Sequence, residues 1–164
     1  MNRKGFTLIE LIAVIVLLGI ILVLTYPSMA NAFKNARLKN EEIFLDRLSE
    51  TIDSYVTLNS DKINFNNTIS GTKTTENNSS YTVTVYKGTI KIEDLIDDDL
   101  IVKNDFINPG NKDVTCKTTA EIEVYRDSDY VYCHKIRKDS LGCLSSEFSS
   151  LVEGNYAINS CTWK

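Results

Sequence analysis

GFTLIELIAVIVLLGIILVLTYP, residues 5–27, sets one carboxylate, Glu10, inside a run otherwise built for lipid. No other charged residue interrupts the chain between Leu8 and Leu24, and about 20 predominantly apolar residues suffice to cross a bilayer core. A carboxylate in a spanning helix costs about 2.5–3.5 kcal/mol at the centre, less near an end, and such a group usually marks a functional pairing. Arg3 and Lys4 precede the run and hold its start on the cytoplasmic side. Gly19 lets helices approach closely in lipid. Pro27 removes one helical hydrogen bond and is the expected place for a kink.

Three readings compete for this segment. As a secretory signal peptide it would be cut at Ser28-Met29-Ala30, but the apolar run exceeds the ~7–15 residues of a signal core, and a core carboxylate serves no purpose there. An ordinary membrane anchor explains everything except Glu10. The third reading explains Glu10 as well. Gly5-Phe6-Thr7-Leu8-Ile9-Glu10-Leu11-Ile12, behind a short basic leader and ahead of an unbroken apolar stretch, resembles the processing and N-methylation motif of type IV pilins and pseudopilins.

That resemblance implies cleavage by a prepilin peptidase after Gly5, methylation of the new amine at Phe6, and retention of the hydrophobic helix. It also implies that Glu10 of one subunit pairs with the Phe6 amine of a neighbour, neutralising both charges and fixing the axial offset between packed helices. Pilins commonly carry a proline at the distance of Pro27, where the helix can loosen as subunits leave the bilayer for a filament. The partners implied are the peptidase, other pilin subunits, and the lipid bilayer before assembly. DNA or exported protein would be handled by the assembled system rather than by a site on this chain.

Composition agrees with a subunit whose soluble part is small. The 164 residues are 43% hydrophobic with a formal charge of −4, and much of the apolar content precedes residue 25. No Lys/Arg cluster tracks a phosphate backbone, so charge does not favour nucleic acid. Cys116, Cys133, Cys143 and Cys161 all fall in the last third, the part expected outside the membrane, where disulfides form. Resemblance to pilin headpieces, many of which close a C-terminal loop with a disulfide, implies Cys143–Cys161 and therefore Cys116–Cys133. Four cysteines allow three connectivities, and sequence leaves them open.

From Ser28 the pattern becomes one-sided. Phe33, Ala36, Phe44, Leu48, Ile52, Tyr55 and Val56 recur at helical spacing, while Lys34, Lys39, Glu41, Glu42, Asp46, Arg47 and Glu50 fall mostly elsewhere. An amphipathic helix is expected to about Leu58, with Phe44 and Tyr55 packing under a sheet. Residues 61–80, DKINFNNTISGTKTTENNSS, show no period and read as a surface loop. Asn66 and Asn77 fit the N-glycosylation pattern, to which a bacterial-type pilin gives no meaning.

YTVTVYK at 81–87 and Thr89–Ile92 predict two strands or one with a break at Gly88, and residues 93–100 a short helix. Asn108-Pro109-Gly110 is a turn. Residues 121–126 and 130–134 predict a hairpin, and the sequence after Ser140 reads as irregular. The expected fold is therefore α+β, a long N-terminal helix packed on a small antiparallel headpiece. Its divisions are a leader at 1–5, a transmembrane or filament-core helix at 6–27, an amphipathic continuation at 28–58 and a soluble headpiece at 59–164.

Catalysis and cofactors find no motif. Asp97, Asp98 and Asp99 point in different directions and lack the EF-hand pattern, so they read as a solvated surface rather than a metal site. A Cys133/His134 nucleophilic pair fails because strand neighbours face opposite sides. His134, the only histidine, is expected at the surface or an edge. The sequence thus points to a non-enzymatic, single-pass protein of the bacterial cytoplasmic membrane with an extracytoplasmic headpiece, found in a pilus or pseudopilus after assembly. The alternative is a membrane-anchored binding or sensor domain that does not polymerise. Major or minor subunit, and pilus, secretion or competence system, remain open.

Overall fold

Leu45, Leu48, Ile52, Tyr55 and Val56 repeat at three- and four-residue steps with no proline or glycine between Ser28 and Leu58, a pattern that needs a continuous helix and a surface to bury its stripe. A computed structural model, describing residues 7–74, 79–152 and 154–162, has that helix as α1, Leu8–Leu58. Packing divides the chain into two units, Met1–Arg37 and Leu38–Lys164. In the second, the stripe of α1 lies buried with Ile90, Ile122, Val124, Ile136 and Ile158. Each such aliphatic side chain contributes about 1.5–3 kcal/mol when fully buried.

Five strands form one antiparallel sheet in sequence order: β1 (Asn67–Thr74), β2 (Ser80–Lys91), β3 (Glu121–Asp127), β4 (Tyr132–Arg137) and β5 (Tyr156–Asn159). The α+β layout expected from sequence is thus present. Short helices α2 (Ile92–Asp97), α3 (Lys138–Leu141) and α4 (Ser146–Leu151) complete it. α2 follows β2 directly and buries Ile92 and Leu95 completely. Phe44 meets Phe106 at 5.7 Å between ring centroids.

Several local expectations need correction. Residues 67–74 are not loop but the edge strand β1, paired with β2 from Asn67↔Lys87 to Thr74↔Ser80. An edge strand that is mostly exposed on both faces shows no hydrophobic alternation; backbone pairing with β2 holds it, together with the ion pair between Lys73 and Asp127. β2 runs unbroken through Gly88, where a Cβ would lie 2.7 Å from Ile63 Cγ2. The hairpin strand begins at Tyr132 rather than at 130, because Asp127 Oδ1 accepts the amides of Asp129 and Val131 and Tyr130 turns into the left-handed region at φ 61°. The tail after Ser140 is not irregular: it forms the end of α3, then α4, then β5.

The disulfides also differ from the implied pairing. Cys133 joins Cys161 and Cys116 joins Cys143, with Cα separations of 5.0 and 4.7 Å. Register explains the first. Lys135↔Asn159 and Ile136↔Ile158 continue through the Ser160 amide, which donates to the His134 carbonyl at 3.0 Å, and one step further Cys133 faces Cys161. The second bridge follows from the Lys117 amide donating to the Leu141 carbonyl at 2.9 Å, which draws the two segments together.

His134 is not at the surface; it is 1% exposed. Its even position on β4 shares the inner face with Ile136, so the ring meets α1. Burial pulls its pKa down from the ordinary imidazole value, against the opposing pull of Asp53 on α1, which is the charged group facing it; Ser49 on α1 and Ser160 beyond β5 complete its surroundings. A depressed histidine pKa means that the unfolded chain binds the extra proton first. Stability is then full above the unfolded value of about 6.5 and declines as pH falls through it. The urea midpoint is expected to be lower at pH 5 than at pH 7.5, and His134→Gln to flatten that part of the profile; an unchanged slope in the variant would assign it to other groups.

Candidate functional site

The segment that sequence singles out starts with a helix cap. Thr7 and Glu10 stand three residues apart at the beginning of α1, and each satisfies the other's backbone. Glu10 Oε2 accepts from the Thr7 amide at 2.9 Å and from its hydroxyl at 2.8 Å, while Thr7 Oγ1 accepts from the Glu10 amide at 3.4 Å. This reciprocal capping box satisfies donors that a helix start otherwise leaves without partners. Sequence reasoning passed over it, although Thr7-Leu8-Ile9-Glu10 carries the T-x-x-E signature. Glu10 therefore has a partner within its own chain, and the cap keeps the carboxyl at the helix end. Gly5 and Phe6 lie outside the described residues.

From Leu8 to Phe33 the large apolar side chains are exposed, Ile9 at 76% and Leu24 at 73%. α1 is long and apolar enough here to cross a membrane. Such a surface has no stable place in water and must be covered by lipid or by protein. A Cβ at Gly19 would meet nothing within 4 Å, so nothing among the described residues requires glycine there. Pro27 has no amide to offer the Val23 carbonyl; Thr25 Oγ1, two residues before it, donates to the Ile21 carbonyl at 2.9 Å.

Comparison with known proteins bears on this same stretch. Residues 1–26 match the family model for the prokaryotic N-terminal methylation motif. The chain carries the type IV pilin and pseudopilin signature. No curated protein and no solved structure matches it at a significant level. The motif occupies the apolar segment, and pilin-type proteins bearing it are structural rather than enzymatic. Motif and exposed apolar helix together fit membrane anchoring and a pilus.

In the second unit a buried polar hub, which the helical pattern did not reveal, lies beside the Cys116–Cys143 bridge. Glu41, expected on the solvent side of α1, is 2% exposed. Its Oε1 accepts from Asn108 Nδ2 at 3.1 Å, and its Oε2 accepts from the Ser145 amide at 3.2 Å and hydroxyl at 3.0 Å. Asn108 Nδ2 also donates to the Cys143 carbonyl, and its Oδ1 accepts the amides of Gly110 and Asn111, forming the expected turn. Ser145 in turn caps α4 by accepting from the Phe148 amide at 3.1 Å. One carboxyl thus ties α1 to the turn at Asn108 and to the start of α4. No group of three or more His, Cys, Asp or Glu side chains among the described residues is placed to hold a metal ion.

Proposed function

We propose that this protein is a structural subunit of a type IV pilus or pseudopilus, cut by a prepilin peptidase after Gly5, methylated at Phe6, and assembled through residues 6–27. The observation that carries this reading is the coincidence of the methylation motif with an apolar helix whose side chains the described residues leave uncovered. In the bilayer, lipid covers that surface; in a filament, the same segment of neighbouring subunits does. Glu10 pairs with the Phe6 amine of a neighbour, Gly19 admits close helix approach, and Pro27 supplies the place where the helix loosens on leaving lipid. The headpiece stays outside the membrane, held by two disulfides suited to an oxidising compartment.

Mass spectrometry of the membrane-extracted protein tests the proposal. The expected mass lacks residues 1–5 and carries one additional methyl group on Phe6. A full-length, unmethylated chain in cells with an active prepilin peptidase would leave the plain membrane-anchored binding or sensor domain as the better reading.

A further inference from the structure

Ser49 and Asp53 stand one turn apart on the same face of α1, and both reach the ring of His134 on β4. Ser49 Oγ lies 2.9 Å from Nε2 and Asp53 Oδ1 lies 2.9 Å from Nδ1, with Ser160 Oγ also 3.2 Å from Nδ1. A carboxylate can only accept, so this network assigns the ring proton to Nδ1, facing Asp53, and leaves the Nε2 lone pair to the Ser49 hydroxyl. Burial, which disfavours the imidazolium, keeps that lone pair available at neutral pH. Ser49 is half-buried and lines an open cavity of about 260 Å³ together with Leu45, Asp46, Ala157 and Asn159. Nucleophile, base and orienting carboxylate thus stand in the order that activates serine, beside space for a substrate.

We infer that Ser49 is an activated nucleophile, with His134 as its general base and Asp53 as a positioning residue, and that the cavity admits the acyl part of a small carboxylic ester. Ser49 Oγ bonds to the ester carbonyl carbon as its proton passes to Nε2. The C–O bond to the alcohol then breaks, and the alcohol leaves with that proton. Water, deprotonated by the same Nε2, displaces the acyl group, releasing the carboxylic acid and restoring the Ser49 hydroxyl. The Ser49 amide lies inside α1, so it is committed to the helix. Asn159, whose Oδ1 accepts from the Cys161 amide at 3.3 Å, lines the same cavity and would supply an oxyanion donor through its Nδ2. A single side-chain donor in that role stabilises both tetrahedral intermediates weakly, so acylation and deacylation are both slow.

The activity is separate from assembly, and its failure would leave the pilin reading untouched. The test uses the full-length protein in detergent and a biotinylated fluorophosphonate, whose P–F bond breaks as the Ser49 Oγ–P bond forms and fluoride leaves. One adduct per chain is expected, mapped to Ser49 by peptide mass spectrometry, with a rate that falls as pH drops through the imidazole titration. Ser49→Ala should give no adduct, and His134→Gln should label about 100-fold more slowly, since general-base assistance is worth roughly 10²–10⁴. Asp53→Asn should displace the pH midpoint of labelling, which a merely structural aspartate would not do. An unlabelled wild-type protein, an adduct elsewhere, or a wild-type rate that ignores pH would each overturn the inference, whatever the folding of the variants.

Discussion

Glu10→Gln is expected to abolish filament or pseudopilus assembly while leaving processed protein in the membrane at or above the wild-type amount. The reasoning separates two tasks of one side chain. Glu10 caps the start of α1 by accepting from Thr7, and glutamine keeps an acceptor oxygen for that bond. What glutamine loses is the charge that would neutralise the amine of a neighbouring subunit. Removing one partner of a buried ion pair costs about 3–5 kcal/mol, roughly 10²- to 10⁴-fold in each subunit addition. Insertion becomes easier, because a carboxylate is costly in lipid. The two effects carry opposite signs, and a plain anchor predicts only the second. Pilus yield, measured beside the quantity of processed protein and in co-assembly with a partner pilin, decides between them; full assembly of the variant would reduce Glu10 to its cap.

Glu41→Ala is expected to destabilise the second unit by about 3 kcal/mol, within the range for breaking a buried hydrogen-bond network. The substitution strips Asn108 Nδ2 and both donors of Ser145 of an acceptor, in a site where Asn108 is buried and Ser145 half-buried. Buried donors left without partners cost about 1–3 kcal/mol each, offset in part because the carboxyl itself no longer has to be kept out of water. Glu41→Gln should also destabilise, because its amide nitrogen must face one of those donors. The disulfides remain intact in both variants, so a lowered urea midpoint reports the hub rather than the bridges. A stability within about 0.5 kcal/mol of wild type, on the scale of an ordinary surface substitution, would show that the hub is dispensable.

The N-terminal half was legible in the sequence because its physics is local. An uninterrupted apolar run, a 3.6-residue stripe without proline or glycine from Ser28 to Leu58, and a family motif on residues 1–26 each concern neighbours along one helix. The alternating strands around Gly88 and Asp127 were readable for the same reason, since alternation reports a face directly. What tertiary structure alone decided is every pairing between distant segments. Polar β1 became a strand only because β2 offers it a backbone ladder, and Cys133 met Cys161 only because the β4–β5 register brings them opposite. Glu41 carries the same label as its solvated neighbours on α1, and only the donors of Asn108 and Ser145 bring it inside. Ser49, Asp53 and His134 form no motif along the chain, the histidine lying 85 positions beyond Ser49. Periodicity says which face of a helix or strand is covered; which residue covers it depends on register, and register is a property of the folded whole.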